Sequence, residues 1–425
     1  MTRNLLVFMA KPRQNNFGGN DTFAIQLIER WPDKRDHIVF AINASHPCAD
    51  LFESRLRQRA ELLRLNEELI IEKRARLSSY FAPRGKVVSI LLEAGLDILR
   101  PFLAVAAIFR LYRVLSMFHP EVVILNVGGN PPEDLGWRMM LAAWLRRTPQ
   151  IILVNHSFPG HATNPFRRIG LLILQRMTKF FCDVLVVPSQ DMAVATARSM
   201  RDRRPPIVIP NGIEPEPEPG LSYEEKRKVL GLKKSMIIGA LASMEECKGI
   251  YYLVEAMKGV VQQYPDVELI IIGVPVDPDY VKNVLQLIRT LGLETHVKYV
   301  GYLPQAHQYF ECIDIGVVPS VYAESFGIVA IEAMRYAKPV VAARTGGLKE
   351  IVVDGETGYL VAPRDSEALA AALKKLLASP SLRESMGQEG KKRFLSLYIT
   401  SKMVDRYYQL TQGTSSLPSI PFKSS

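Results

Sequence analysis

The sequence predicts an α/β protein with two doubly wound domains. Three observations lead to this prediction: short segments that are apolar on both faces, longer amphipathic segments between them, and a restart of the alternation after residue 204. Strands that are buried on both faces are typical of parallel sheets covered by helices. A length of 425 residues is consistent with two such domains.

The first half contains five apolar segments that predict strands. They are NLLVFMA, HIVFAIN, EVVILNV, QIILVNH and DVLVVPS. Hydrophobic spacing between them predicts helices at residues 23–31, 53–77, 97–118 and 137–147, of which 53–77 is long and basic. This βαβ order builds a twisted sheet with helices on both faces.

The second half repeats the pattern after an extended, solvated segment, PPIVIPNGIEPEPEPG at residues 205–220, in which Asn211-Gly212 predicts a turn. The strands predicted beyond it are MIIGALA, VELIIIG, VKYVGYL, IDIGVVPS, KPVVAAR and TGYLVAP. We therefore expect an N-terminal domain over 1–204 and a C-terminal domain over 205–398. A helix over 399–412 and a tail over 413–425 would follow.

Composition narrows the classes of function. Fifty-three Lys and Arg against 43 Asp and Glu, with a formal charge of +10, favour acidic partners such as nucleotides, phosphorylated substrates or an anionic membrane. A basic surface that only keeps the protein soluble is an equal alternative. The four cysteines, without a CxxC motif, indicate a reducing compartment. The N-terminus does not resemble a signal peptide, and the apolar window 97–118 contains three arginines and a proline, so we expect a cytoplasmic protein.

One segment, ESFGIVAIEAM at residues 324–334, combines an anion-binding pattern with two acids. Helical spacing from Ile328 onward places Ser325–Gly327 at the beginning of a helix, where backbone N–H groups and the dipole attract an anion such as diphosphate. Carboxylates repel phosphate but accept hydrogen bonds from vicinal hydroxyls. Glu324 and Glu332 therefore favour a nucleotide-diphospho-sugar, which has phosphates in the middle and hydroxyls at both ends.

The order of several motifs resembles a known family. These motifs are IPNGIE, the KG pair at Lys248, GYLP, DIGVVPS, ESFGIVAIE and TGGLKEIVVDGETGYLV. The series, continuous from about Pro206 to Leu376, resembles the C-terminal domain of the retaining GT-B glycosyltransferases of family 4. The first half resembles the family through FGGN, EVVILNV, VNHS and VVPSQ. The resemblance implies two Rossmann-like domains facing a central cleft, and a retaining, metal-independent hexosyltransferase.

The resemblance also implies roles for single residues of the second half. Glu324 would contact hydroxyls of the transferred sugar, Glu332 would bind the ribose, and Lys248 would neutralise the departing diphosphate. The donor-binding set that the resemblance implies in this half is Ser243, Lys248, Tyr302, Glu324, Ser325, Phe326, Gly327, Ile328 and Glu332. Ser243 stands where the family commonly has an arginine, and Arg344 is a candidate substitute.

In the first half, Gly18 and Gly19 open a predicted helix after the first strand, and backbone there could approach the donor phosphate or the acceptor. The pattern is not GxGxxG. His156, at the end of a predicted strand, resembles a family histidine near the transferred sugar, and the implied catalytic residues are Glu324, Lys248 and His156. The DPD triplet at Asp277–Asp279 resembles a metal-binding motif, but its position before a helix predicts an N-cap, so we expect no essential metal.

The expected ligands are a UDP-sugar or GDP-sugar donor and a sugar or lipid-linked acceptor, with no nucleic acid, in polysaccharide, lipopolysaccharide or glycolipid synthesis. Peripheral contact with the inner face of an anionic membrane is a further hypothesis, based on the basic residues Arg55 to Arg76 and the window Leu99 to Met117. The window also fits an ordinary buried helix. A sugar-nucleotide epimerase and a catalytically impaired sugar-nucleotide-binding protein remain alternatives. A pyridoxal-type phosphorylase would need a much longer chain.

Overall fold

The computed structural model describes residues 2–9, 19–65, 86–128, 132, 134–159, 165–200, 205–217 and 220–413, with the side chains of 86–101 and 165–168 excepted. The chain divides into two compact units. Unit 1 includes the described residues up to Pro188, those of Ala193–Ile209, and those from Val404 to Gly413. Unit 2 includes Ser189–Met192 and Pro210–Met403. The separate roles predicted for the two domains, acceptor binding and donor binding, stay predictions.

Unit 1 contains a parallel sheet in the order β3-β2-β1-β4-β5-β6-β7. Its strands are β1 (Asn4–Met9), β2 (His37–Asn43), β3 (Glu61–Leu65), β4 (Val122–Val127), β5 (Gln150–Asn155), β6 (Val184–Val187) and β7 (Ile207–Val208). The helices described between them are α1 (Gly19–Glu29), α2 (Ala49–Leu56), α3 (Lys86–Phe118), α4 (Asp134–Leu145), α5 (Pro165–Phe181) and α6 (Gln190–Met200). The first three residues of α6 belong to unit 2. The central strands are buried on both faces, as the continuous apolar runs predict.

Unit 2 contains a second parallel sheet, in the order β10-β9-β8-β11-β12-β13. Its strands are β8 (Met236–Leu241), β9 (Val267–Ile272), β10 (Val297–Gly301), β11 (Ile315–Val318), β12 (Val340–Ala343) and β13 (Gly358–Val361). Its helices are α7 (Tyr223–Leu230), α8 (Ile250–Gln263), α9 (Pro278–Thr290), α10 (Ile328–Arg335), α11 (Leu348–Ile351), α12 (Ser366–Ala378) and α13 (Pro380–Leu397). The predicted α/β class with two parallel sheets is confirmed.

The last described helix, α14 (Thr400–Thr411), begins in unit 2 and continues into unit 1. In unit 2, an isolated parallel β-bridge between Ile213 and Ile399 lies just before this helix. In unit 1, the ring of Tyr407 lies edge-on against Phe23, with 5.4 Å between ring centroids. The Arg3 guanidinium donates to the Thr411 carbonyl at 3.1 Å. The C-terminal part of the helix is therefore built into the core of unit 1.

Two local predictions were wrong. The helix predicted over 53–77 ends at Leu56, and Glu61–Leu65 is instead an edge strand that pairs with β2; residues 66–77 lie outside the described residues. The Asn211-Gly212 pair is not a turn. A Cβ on Gly212 would lie 2.7 Å from the Ile399 carbonyl oxygen, so glycine there permits close approach of two backbones.

The window 97–118 forms part of α3, in agreement with its helical spacing. Among the described residues, no helix has the combination of length and hydropathy that crossing a membrane requires. All four cysteines are free, as the sequence predicts.

Candidate active site

A short loop follows β11 at the carboxyl edge of the unit 2 sheet and leads into α10. Its backbone N–H groups at Ser325, Phe326, Gly327 and Ile328 donate to no acceptor in the described parts of the chain. Consecutive N–H groups before a helix form a positively polarised concavity that suits an anion. The helix itself begins at Ile328, so the predicted residues Ser325–Gly327 precede its first turn rather than form it.

Gly327 gives the loop its final bend. It is the N-cap residue of α10 with φ 117, a backbone conformation that favours glycine. A Cβ there would also lie 2.5 Å from the Leu348 side chain. Glycine is therefore required both for the bend and for the packing of α10 against α11.

The loop is anchored on both sides. The Phe326 side chain is buried and lies edge-on against Tyr398, with 5.7 Å between centroids. On the other side, a Cβ on Gly346 would lie 2.1 Å from the Glu324 carbonyl oxygen, and one on Gly347 would lie 2.6 Å from the Phe326 carbonyl oxygen. The Gly347 N–H donates to the Glu324 carbonyl at 2.8 Å. The two glycines of the TGG motif thus let their backbone pack directly against the backbone of the loop, a role that the sequence did not reveal.

Lys248 and Glu324 form an ion pair beside this loop. The Lys248 ammonium donates to Glu324 Oε1 at 2.6 Å, and the buried Ser320 hydroxyl donates to the same oxygen at 2.7 Å. Both recorded bonds fall on Oε1, and no described residue donates to Oε2. One oxygen of this carboxylate is therefore held by two donors, while the other has no donor among the described residues.

Gly249 explains how Lys248 reaches Glu324. The lysine ends a 3-10 turn, Glu246–Lys248, and Gly249 follows with φ 68. A Cβ on Gly249 would lie 2.1 Å from the Pro319 carbonyl oxygen, and the Val321 N–H donates to the Cys247 carbonyl at 2.9 Å. The KG pair therefore packs the lysine turn directly against the chain that leaves β11.

The Lys248 ammonium keeps its proton at neutral pH. Burial alone would lower its pKa, but the charge and hydrogen bond of the Glu324 carboxylate outweigh burial and raise the pKa above its ordinary value. The pair thus consists of two charged groups, and the negative charge of Glu324 is compensated locally.

Glu332 lies on the second turn of α10 and is half-buried. Burial raises the pKa of its carboxyl to about 7, an effect that the nearby Arg335 only partly opposes. No described residue forms a hydrogen bond or ion pair with this carboxyl. A half-buried carboxyl group without a protein partner is suited to a ligand that supplies hydroxyls.

Two predicted phosphate ligands have other partners. The Ser243 hydroxyl donates to the Glu245 carboxylate. Arg344, the candidate substitute for the missing arginine, pairs with Asp354 at 2.5 Å and donates to the Leu360 carbonyl. Two cations of the described residues lie beside the Glu324 loop: Lys248, which pairs with Glu324, and Arg364, whose guanidinium lies 5.3 Å from the centroid of the Tyr322 ring.

Tyr302 is exposed and follows β10, which is separated from β11 by β9 and β8. At about 4.8 Å per strand, this is roughly 14 Å from the end of β11. The structure therefore does not bring Tyr302 to the ion pair, although both lie on the carboxyl edge of the sheet.

His156 lies in unit 1 after β5, and Asn126 of β4 determines its tautomer. Asn126 Nδ2 donates to the Asn20 carbonyl at 3.0 Å, so its Oδ1 faces His156 Nε2 at 2.7 Å. Since Oδ1 only accepts, Nε2 carries the proton. Burial lowers the pKa of the ring to about 4, so Nδ1 of the neutral ring is a hydrogen-bond acceptor.

The glycine pair is described only in part. Gly19 is the first residue of α1, and Gly18 lies outside the described residues.

A cluster of ligand-type residues includes one residue of α1. Asp21, His46 and Cys48 place one ligand-type atom each within 4.8 Å of one another. His46 Nδ1 accepts the Cys48 N–H, so Nε2 carries the proton and faces Asp21 at 3.4 Å. A protonated Nε2 suits a hydrogen bond to the carboxylate rather than a metal ion.

Asp277 and Glu350 take the positions of helix-capping residues. Asp277 is the N-cap of α9 and accepts the N–H groups of Asp279 and Tyr280, which confirms the N-cap prediction for DPD.

Within unit 2, the Glu350 carboxylate accepts the N–H groups of Gln190 and Asp191 at 2.9 and 2.8 Å. Also in unit 2, the Ser189 hydroxyl donates to the Ser325 carbonyl at 2.6 Å, which fixes the peptide between Ser325 and Phe326.

The chain has two parallel sheets covered by helices, and a run of backbone N–H groups and a lysine lie at one carboxyl edge. Open α/β sheets commonly bind their ligands at this edge. Comparison with known proteins identifies the family. Residues 18–217 match the family described as Glycosyltransferase Family 4, and residues 222–393 match Glycosyl transferases group 1. The chain belongs to the family 4 glycosyltransferases.

Individual relatives are distant. The Staphylococcus aureus capsular polysaccharide biosynthesis glycosyltransferase CapM is 25% identical over 290 residues, which are 67% of this chain and 75% of CapM. The D-inositol 3-phosphate glycosyltransferase of Corynebacterium diphtheriae is 35% identical over 170 residues, 39% of this chain and 40% of the relative. The match thus spans less than half of that second relative.

The GT-B fold is shared with Anabaena HepE, whose structure contains UDP. The TM-score is 0.72 at 19% identity, and the alignment covers 97% of this chain and 100% of HepE. The predicted GT-B fold is confirmed.

Gly346→Ala should destabilise unit 2 and displace the Glu324 loop. The new methyl group would overlap the Glu324 backbone, and overpacking of this kind costs about 1–3 kcal/mol. The matched control is Gly355→Ala, because Gly355 also has a positive φ but has no atom within 4 Å of a built Cβ. Its cost should be limited to the backbone penalty of about 1–2 kcal/mol. Urea unfolding measures the free energy of unfolding of both variants. Equal decreases in the two variants would contradict the packing role of Gly346.

Nitrogen-15 NMR of the histidine rings tests the assignment of His156. We expect the proton on Nε2 and a neutral ring down to about pH 5, because the folded-state pKa of about 4 lies below the ordinary 6.5. The contribution of this ring to the free energy of unfolding is therefore lost as the pH falls from 6.5 toward 4. Asn126→Asp places a carboxylate at Nε2 and should raise the ring pKa by about 1–2 units. Asn20→Ala keeps the backbone carbonyl and serves as the control; a proton on Nδ1 in the parent protein would refute the assignment.

Proposed function

We propose that this protein is a retaining glycosyltransferase that moves a hexose from a nucleotide-diphospho-sugar to a hydroxyl acceptor. One observation carries the proposal: the open backbone N–H groups of Ser325–Ile328 lie in a loop that also carries Glu324, paired with Lys248. The backbone N–H groups and Lys248 suit a diphosphate. Glu324 and Glu332, before and after these N–H groups in the chain, suit the hydroxyl-bearing rings at the two ends of the diphosphate.

The distal phosphate would accept hydrogen bonds from the N–H groups of Ser325, Phe326 and Gly327. Lys248 adds a compact positive charge where negative charge grows as the diphosphate departs. No metal ion is required for this stabilisation. Backbone donors that are already oriented cost no reorganisation when the charge develops.

The two acids would bind the two ends of the donor. Glu324 would accept hydrogen bonds from hydroxyls of the transferred sugar through Oε2, since Lys248 and Ser320 hold Oε1. Glu332 would accept hydrogen bonds from the ribose hydroxyls. Such bonds to an ionised carboxylate are about twice as strong as those to a neutral acceptor.

In the reaction, the bond between the anomeric carbon and the diphosphate would break with oxocarbenium character. The acceptor hydroxyl would attack from the same face and pass its proton to the departing phosphate oxygen. This course keeps the anomeric configuration. Glu324 orients the sugar while Lys248 and the loop stabilise the leaving group. In unit 1, neutral His156 would accept a hydrogen bond from a ligand hydroxyl through Nδ1, and the ligand-binding role of the Gly18-Gly19 pair stays a prediction.

The names of relatives support the choice of substrates. A UDP-sugar donor is favoured by HepE, which is similar in fold and contains UDP. A role in the synthesis of a polysaccharide is favoured by CapM, whose name describes capsular polysaccharide biosynthesis. We propose a cytoplasmic enzyme, associated with the inner face of an anionic membrane, that acts on a sugar or lipid-linked acceptor.

A second candidate is a sugar-nucleotide-binding protein with impaired turnover. Ser243 in place of arginine favours it, because its hydroxyl donates to Glu245 and Arg344 is engaged with Asp354. Lys248 alone would then have to stabilise the departing diphosphate.

Incubation with a panel of UDP- and GDP-sugars and hydroxyl acceptors separates the candidates. We expect acceptor-dependent release of the nucleoside diphosphate, a product whose anomeric configuration by proton NMR equals that of the donor, and an unchanged rate with a chelator. Lys248→Met should lower kcat by about 10²–10³-fold, as loss of one charge-stabilising donor does. Lys258→Met, at an exposed position of α8, is the control. Binding without release would favour the impaired protein, and acceptor-independent interconversion of donors an epimerase.

Donor affinity should depend on pH through Glu332. If the ionised carboxylate binds the ribose, a pKa of about 7 in the free protein means that affinity for UDP-glucose falls as pH falls through 7. The expected loss between pH 8 and pH 6 is about tenfold. UDP-glucose is a suitable probe because its diphosphate does not titrate in this range. Calorimetry on Glu332→Gln should show weaker, pH-independent binding, and an unchanged pH profile in this variant would contradict the ribose role.

A further inference from the structure

The ion pair beside the Glu324 loop adds no net charge to the proposed donor site. Lys248 contributes one positive charge and Glu324 one negative charge, at 2.6 Å from each other. The diphosphate of a nucleotide-sugar carries negative charge on both phosphates, and the backbone N–H groups before α10 offer only partial positive charges. We therefore expect a further cation near this loop.

Arg364 lies on an aromatic ring of the same loop. Its guanidinium carbon is 5.3 Å from the centroid of the Tyr322 ring. Tyr322 is exposed and precedes Glu324 by two residues in the sequence. A guanidinium is attracted to the face of an aromatic ring and stacks on it. The ring therefore gives the arginine a defined place beside the loop.

The Arg364 side chain extends along the carboxyl edge of the sheet toward this loop. Arg364 follows β13, and β12 lies between β13 and β11. The ends of β13 and β11 are thus two strand spacings apart, or about 10 Å. Contact with Tyr322, which follows β11, means that the side chain crosses the end of β12 rather than pointing away from the sheet.

The N–H groups of the Arg364 guanidinium have no acceptor in the part of the chain that the structure describes. The carboxylate of the neighbouring Asp365 accepts the Ala368 N–H as the N-cap of α12. Arg344 differs, because it pairs with Asp354. A guanidinium with open N–H groups presents a planar fork that matches the oxygens of a phosphate.

The backbone at Arg364 does not favour an arginine. Its φ is 63, a left-handed conformation that glycine adopts with less strain. Within the described residues, the side chain forms no hydrogen bond or ion pair that would offset this strain. Binding of a ligand by the guanidinium would account for an arginine at this position.

We propose that Arg364 binds the distal phosphate of a nucleoside diphosphate and that Tyr322 is the residue that positions it. Lys248 approaches the phosphate from the turn before α8, and Arg364 approaches it from the turn after β13. Arg364 also supplies the positive charge that Ser243 lacks. The inference rests on the proposed function, because it places the diphosphate at Ser325–Gly327.

Calorimetry of the full chain with UDP, GDP, UMP and GMP tests the proposal. Arg364→Gln should weaken binding of the nucleoside diphosphate about tenfold or more at about 0.1 M salt, as loss of a hydrogen bond between charged groups does. The effect should become smaller toward 1 M salt, since exposed charges are then screened. Affinity for the monophosphate, which lacks the distal phosphate, should change by less than about threefold. Equal losses for the diphosphate and the monophosphate would overturn the assignment to the distal phosphate.

The matched control is Arg227→Gln. Arg227 also lies on a tyrosine, with 5.8 Å from its guanidinium carbon to the Tyr223 centroid, but it belongs to α7, which leads into the amino end of β8. This variant should bind the diphosphate like the parent protein. Tyr322→Leu removes the ring beneath Arg364 and should weaken diphosphate binding about threefold, with Tyr223→Leu as its control.

Arg364→Gly separates binding from folding. Glycine fits a φ of 63, so this variant should not have a lower melting temperature than the parent protein, yet it should bind the diphosphate as weakly as Arg364→Gln. Parent-like diphosphate affinity in both Arg364 variants would overturn this inference and leave the proposed function intact. A parent protein that binds neither UDP nor GDP would contradict the proposed function itself, and the inference with it.

Discussion

The ion pair between Lys248 and Glu324 is the contact on which the candidate site depends. It joins the turn before α8 to the loop after β11, and Ser320 adds a second bond to the same carboxylate oxygen. Without this pair, the charge of Glu324 would repel a phosphate at the proposed anion-binding loop. Lys248 compensates the charge of Glu324, while burial keeps Glu332 partly protonated near neutral pH. Both acids can therefore flank a diphosphate at a reduced electrostatic cost.

Much of the fold follows from local sequence. Buried parallel strands such as β4 and β9 are continuous apolar runs, so their positions could be predicted without tertiary information. The edge strand β3 could not. Its sequence ELLRL has charged residues among the leucines and fits a helix equally well, and only pairing with β2 makes it a strand. Likewise, Gly212 has the sequence of a turn but serves the close approach of Ile399.

The site was predictable where chemistry depends on residue type. Glu324, Lys248, Ser325–Gly327 and Glu332 lie where the motif order indicates, and their roles stay predictions. Residues that position them were missed, because their effect depends on contacts distant in sequence. Ser320 is an ordinary serine until it reaches Glu324, and Gly346 matters because the Glu324 backbone lies against it. Helix α5 was not predicted at all, and its burial of Gln175 and Thr178, with Ile173 and Phe180 exposed, is evident only from the structure.

A crystal structure of the complex with UDP tests the central claim most directly. The account predicts oxygens of the terminal phosphate within about 3 Å of the backbone nitrogens of Ser325–Gly327, with Glu332 on the ribose hydroxyls. A diphosphate bound elsewhere on unit 2, with those nitrogens facing only water and Glu332 turned away from the nucleotide, would contradict it.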